Sequence, residues 1–298
     1  MPTAAVNGID LYYETFGDDT SPTLLMVCGL GAQSVGYEDA LCERFVAAGL
    51  RVVRYDNRDA GLSTWFDDEV DVLAAVMANV SGEPFDAPYS LSDMAADGIG
   101  LLDLLGVDSA HVLGASMGGM IAQTMAIEHP GRVRSLASVM STTGDPDVGL
   151  PSPEVLSSLV AALDPAAAPT THEERVDAAV EQARLIGTPS TWDEARARVK
   201  HSMLVERAYH PAGTGRQFVA ILRSGSRAGD LPKVTVPTVV LHGDADPLVD
   251  ISGGRRTAEL VPGASFEVLE GMGHDLPEAY WDRIVSAVLR TTRRVQVA

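Results

Sequence analysis

Three short stretches carry residues that could perform acyl transfer together. Gly114-Ala115-Ser116-Met117-Gly118-Gly119 sets one serine in Gly-x-Ser-x-Gly, between an apolar run opening at His111 and a helical stretch over Ile121–Glu128. A turn tight enough to expose that hydroxyl tolerates only small neighbours, and it aims the Met117 N–H into the same space. A serine hydroxyl is a poor nucleophile until a base takes its proton, and the base must itself be held by an acid. Leu241-His242-Gly243-Asp244-Ala245-Asp246-Pro247 and Glu270-Gly271-Met272-Gly273-His274-Asp275 each follow an apolar run and supply those groups. An Asp in a Gly-Asp turn or a His after Gly is ordinary turn chemistry. The three together, in the order Ser, Asp, His at three strand ends, specify more than turns.

Asp246, ahead of Pro247 on the far side of its loop, is the favoured acid. Asp244 follows Gly243 and suits the turn itself, and Asp250 ranks third. Of seven histidines, His274 alone lies in a glycine-flanked loop after the final strand; core or surface roles suit His111, His129, His172, His201, His210 and His242. A developing oxyanion needs two amide donors, each worth roughly 3 kcal/mol of barrier. Met117 N–H is one. The other is read as Leu30 N–H, from Gly29-Leu30-Gly31 after the apolar run Thr23–Cys28.

These groups need strands to carry them. The alternating Ile9–Phe16 reads as a strand, and Thr23–Cys28, Arg51–Asp56 and Val133–Met140 read as further strands. Helices are expected over Tyr37–Ala48 and Tyr89–Leu105, the latter capped by Ser90 or Ser92. Trp65–Pro88 is acidic, partly helical and long enough to border a pocket. After Ser141 helical patterns take over, at Ser152–Leu163, Thr171–Ile186, Trp192–Ala208 and Arg216–Arg223, interrupted by Pro165, Pro169, Pro189 and Pro211. Ala161–Pro169 reads as a linker within that region. Strand and helix return at Thr235–His242, Gly253–Leu260, Ser265–Leu269 and Pro277–Arg290. The expected fold is therefore α/β, a mostly parallel central sheet flanked by helices. Residues 1–141 and 231–298 would form its core and 142–230 an inserted helical cap subdomain.

The chain resembles the α/β-hydrolase superfamily along its whole length. The resemblance rests on Cys28-Gly29-Leu30-Gly31, Asp56-Asn57-Arg58-Asp59-Ala60-Gly61-Leu62-Ser63, Gly114-Ala115-Ser116-Met117-Gly118-Gly119, Gly243-Asp244-Ala245-Asp246-Pro247 and Gly271-Met272-Gly273-His274. It is most similar to small bacterial esterases of the aclacinomycin methylesterase and proline iminopeptidase neighbourhood. The resemblance implies Ser116 as nucleophile, His274 as base, Asp246 as acid, and Leu30 and Met117 as oxyanion donors. Two departures stand out: Cys28-Gly29 where the family has His-Gly, and Asp59 where Asp-x-Arg-Gly has glycine.

The expected activity is hydrolysis of small to medium apolar carboxylic esters through an acyl-serine, with no metal or other cofactor. A cofactor-free haloperoxidase or perhydrolase, or an aminopeptidase, would share the triad, and a ligand receptor could use the same scaffold without turnover. With 22 basic and 41 acidic residues the net charge is −19, which disfavours nucleic acid and anionic membrane as partners. Two cysteines, Cys28 and Cys42, and an N-terminus without basic and apolar regions point to a cytoplasmic protein. The expected partner is a small-molecule ester, and the expected state a monomer or homodimer.

Overall fold

Continuous apolar runs become strands covered on both faces. In the computed structural model, which describes residues 2–161 and 168–295, strands β1 (Thr3–Val6), β2 (Ile9–Phe16), β3 (Thr23–Val27), β4 (Arg51–Tyr55), β5 (Ala110–Ala115), β6 (Val133–Val139), β7 (Thr238–Gly243) and β8 (Ser265–Leu269) join in one sheet. The order is β1-β2-β4-β3-β5-β6-β7-β8. β1, β2 and β4 pair antiparallel; from β4 through β8 all pairings are parallel. The sequence reading has no counterpart to β1. It pairs with β2 through Asn7-Gly8, both at positive φ (49° and 78°), a two-residue turn whose twist matches that of the strands.

Alternate strand residues feed two cores. Leu25, Val27, Val53, Val112 and Leu136 face helices α3 (Leu91–Leu104) and α4 (Met117–Glu128). Leu24, Met26, Val52, Leu113 and Leu241 face α1 (Asp39–Ala47) and α10 (Glu278–Arg294). α10 buries Trp281, Ile284, Val285 and Val288, the i, i+3, i+4, i+7 stripe of an amphipathic helix. Ser90 caps α3 in a full capping box with Asp93.

The long acidic stretch holds α2 (Val72–Ser81), capped by the Asp71 carboxylate. Between β6 and β7 lie α5 (Pro153–Ala161), α6 (His172–Ile186), α7 (Glu194–Arg207) and α8 (Pro211–Ser224). The end of the helix expected over Ser152–Leu163, and residues 162–167 of the expected linker, fall outside the described residues. The helix α9 (Ile251–Leu260) follows β7. Two boundaries need correction. α4 starts at Met117 rather than Ile121, directly after the serine, because glycines 118 and 119 serve close packing there and do not delay the helix. Pro211 opens α8 instead of breaking it, since the first helical turn needs no N–H from that residue.

Small residues around Ser116 follow from contact distances. A Cβ on Gly114 would lie 2.0 Å from Gly118 O, one on Gly118 would lie 2.0 Å from Val27 O, and one on Gly119 would lie 2.5 Å from Ser141 Cβ. The first two obstacles are backbone, which cannot swing aside. Gly118→Ala is expected to cost about 3 kcal/mol or more, read as a lowered denaturation midpoint. Gly131→Ala, with nothing within 4 Å of its Cβ, should be close to neutral under the same measurement.

Candidate active site

Ser116 sits between β5 and α4 at φ 57°, ψ −122°, a conformation that costs a non-glycine residue of order 1–3 kcal/mol. Its backbone is pinned from three sides. The N–H donates to Val139 O at the end of β6 (2.9 Å). The carbonyl accepts from Ser141 Oγ (2.8 Å) and from Gly119 N–H (2.8 Å). The turn thus presents the side chain while α4 begins with Met117 N–H, which no preceding helical turn can accept.

The loop after β3 lies against that hydroxyl. A Cβ on Gly29 would come 3.3 Å from Ser116 Cβ and 3.8 Å from its Oγ. Gly29 to Ala32 form a turn closed by Ala32 N–H to Gly29 O (3.2 Å), with Gly31 at φ 64°. Gly31 N–H is taken by Gln217 Oε1 (2.8 Å). Leu30 N–H and Gly29 N–H have no partner among the described residues, and the Leu30 side chain is exposed.

Asp246 and His274 meet as the sequence spacing suggests. His274 Nδ1 lies 2.7 Å from Asp246 Oδ2, and both side chains are buried. Asp246 Oδ1 accepts the amides of Leu248 and Val249 at 2.9 Å each. Burial pushes the Asp246 carboxyl upward, but the His274 charge and hydrogen bonds from His242, His274 and Val249 N–H outweigh it and hold the pKa at about 2. Asp244 has different work: its Oδ1 accepts Gly271 N–H (2.6 Å), bracing the loop before His274.

The sequence reading gives His242, within a strand, a core or surface role, and it is fully buried. It nevertheless belongs to the site: Nε2 donates to Val249 O (2.8 Å) and lies 3.5 Å from Asp246 Oδ2. The Cys28 thiol, at the foot of the Leu30 turn, has its pKa pushed up by burial and by the Asp56 charge, so it stays a protonated, inert thiol.

Asp59, where the family has glycine, keeps the left-handed backbone expected of glycine (φ 65°). Its carboxylate is gripped by Arg216 of α8 at 2.9 Å through two nitrogens, by Tyr89 OH (2.6 Å) and by Phe66 N–H (2.8 Å). Donors from three separate segments offset the strain of this residue, and they tie its loop to α8.

Ser116 at its strand-turn-helix junction and the Asp246–His274 pair stand at the ends of β5, β7 and β8 of one mostly parallel sheet, with no hydrogen bond between Ser116 and His274 among the described residues. The family described as "Serine aminopeptidase, S33" matches residues 18–278. The chain belongs to this α/β-hydrolase family. It is 31% identical to rhodomycin D methylesterase DnrP of Streptomyces peucetius, over 100% of both chains. It is 29% identical to rhodomycin D methylesterase DauP of Streptomyces sp. (strain C5), again over 100% of both. The enol-lactonase structure from Burkholderia xenovorans LB400 superposes with a TM-score of 0.74 at 23% identity, covering 98% of this chain and 100% of that one. No described helix of this S33-family hydrolase is long and apolar enough to cross a membrane.

The two aspartates of the loop after β7 should separate cleanly in kinetics. Asp246→Asn should lower kcat by about 10⁴-fold, because the amide imposes the wrong imidazole tautomer, whereas Asp244→Asn should cost far less; steady-state kinetics of the two variants check the ranking. The folded-state pKa of Asp246 is depressed, so its stabilising contribution is complete above an ordinary carboxylate pKa of about 4. That contribution is lost as pH falls towards about 2. Across any practical assay range Asp246 stays ionised. Any pH dependence of kcat/KM above about pH 4 should therefore originate in groups other than Asp246, which a pH profile of the native protein checks.

Proposed function

We propose that this hydrolase cleaves carboxylic esters through an acyl-serine intermediate. The observation that carries the reading is the 2.7 Å contact between His274 Nδ1 and Asp246 Oδ2. With Nδ1 held by the carboxylate, Nε2 is the ring nitrogen free to take a proton. His274 takes the Ser116 proton as Oγ attacks the ester carbonyl, and Leu30 and Met117 N–H groups receive the oxyanion. His274 then delivers the proton to the leaving alcohol. Water attacks the acyl group with the same imidazole as base. The methylesterase relatives support an ester with a small alcohol, and the apolar residues of α5–α8 support an acyl part of small to medium size.

The cleft that borders Asp246 is lined by Asp147, Leu150, Ser152, Pro247, Asp250 and Ser252. That cleft does not include Ser116 or His274; the net charge of −19 is what favours neutral esters over anionic ones. The free, buried cysteines support a reducing, cytoplasmic setting. The residues 142–230 act in this reading as a cap over the serine.

The deciding experiment is hydrolysis of a graded series of methyl and nitrophenyl esters by the native protein and by Ser116→Ala. Multiple turnovers by the native chain and none by the folded variant are expected. Retained turnover in Ser116→Ala would remove the serine mechanism. A single burst without turnover in the native chain would indicate a binding protein.

A further inference from the structure

The loop that carries His274 is held by two different parts of the molecule. On the sheet side, Gly271 N–H donates to Asp244 Oδ1 (2.6 Å) and Ala245 N–H donates to Met272 O (3.2 Å). The next three residues turn away from the sheet and bond to the segment just after α6. His274 N–H donates to Ile186 O (2.7 Å). Gly273 N–H donates to Thr188 Oγ1 (2.9 Å). Thr188 in turn donates through Oγ1 (2.5 Å) and through its own N–H (3.1 Å) to Asp275 Oδ1. Thr188 is buried, and the contact is too close for any added atom: a Cβ on Gly273 would lie 2.5 Å from Gly187 C and O.

We propose that Thr188 and Asp275 are positioning residues for His274, locking the base to the inserted helices; this rests on the serine-hydrolase reading above. The imidazole is fixed to the core through Asp246, but its backbone is fixed to residues 186–188. β8 ends at Leu269, too far back along the chain to set that backbone by itself. Loss of the Thr188 hydroxyl removes an acceptor for Gly273 N–H and a donor to Asp275 in one step. The backbone of His274 is then free to shift against a stationary Asp246 carboxylate, lengthening the Nδ1–Oδ2 contact. A displacement on the order of 1 Å at a catalytic group costs about 100-fold in rate.

The test compares Thr188→Val, which keeps the shape and loses the hydroxyl, with Thr188→Ser, which keeps the hydroxyl, and with Asp275→Ala. Reactive serines are counted with an organophosphorus titrant, so that misfolded molecules drop out of the rate. Thr188→Val and Asp275→Ala should lower kcat per titrated serine about 10- to 100-fold with KM changed less than about threefold, and Thr188→Ser should stay within about threefold of native. The low-field proton resonance of His274 Nδ1–H should weaken or move in the first two variants and persist in the third. Native kcat per titrated serine together with an unmoved resonance in Thr188→Val would overturn the proposal. Should Thr188→Val not fold, Asp275→Ala decides the question by the same two readouts. The resonance reads the His274–Asp246 contact without turnover. A failure of the clamp is therefore separable from a failure of the ester-hydrolase reading, which Ser116→Ala decides.

Discussion

The absence of room for side chains where β5 meets α4 is the constraint on which the site depends. Gly114, Gly118 and the β3 carbonyl of Val27 meet at distances that exclude a Cβ. This lets α4 start one residue after the strand ends. Because the helix starts there, Ser116 must take a left-handed backbone and Met117 must offer a free N–H beside it. The strain is offset by backbone hydrogen bonds to Val139, Ser141 and Gly119. It needs no contribution from the serine hydroxyl, which is left open for chemistry.

Apolar packing and charges together tie the inserted helices to the core: Ala220 of α8 is part of the main core cluster. α6 and α7 share only a small cluster around Val176, Val180 and Ala197. Among the polar links are Arg216 to Asp59 and Arg207 to Asp56, both in the loop after β4; the latter contact is 2.8 Å, though not aligned as a hydrogen bond. Nearby, Arg58 grips Asp97 through two nitrogens at 2.7 Å each. Buried pairs of this kind do little for net stability compared with apolar packing, yet removing one partner leaves an uncompensated charge. They fix the register of one unit on the other. Trp65, stacked on His210 at 4.1 Å, closes the same joint.

Most of the sheet, the turn at Ser116 and the Asp246–His274 contact are legible in the sequence, because all depend on local signals. Parallel strands read as unbroken apolar runs, and the loops announce themselves through glycine. Helix starts are less legible at α4 and α8, where glycine and proline have positional uses that a periodicity count treats as breaks. β1 escapes a sequence reading because four residues carry too little pattern, although Asn7-Gly8 marks its turn. Interactions between distant segments leave no local signal at all. Nothing in Gly-Met-Gly-His points to Ile186 or Thr188, and nothing in His242 distinguishes a core residue from one beside a carboxylate. Asp59 in place of glycine is a bare departure until Arg216, 157 residues away in the chain, accounts for it.

The inserted helices touch the site at two points of different kind. Gln217 accepts Gly31 N–H in the oxyanion turn, while a Cβ on Gly31 would meet Thr214 Oγ1 at 2.7 Å. Ile186 and Thr188 hold the loop of the base. The loop after β3 and the loop that carries His274 are therefore both braced by the inserted segment. Specificity can then change freely only where the insertion faces away from both braces. The exposed apolar residues Leu156, Leu159 and Val160 on α5 and Val199 and Met203 on α7 lie outside these contacts. Positions 188 and 217 carry the opposite constraint: their side chains hold the backbone of the loops that carry His274 and Leu30.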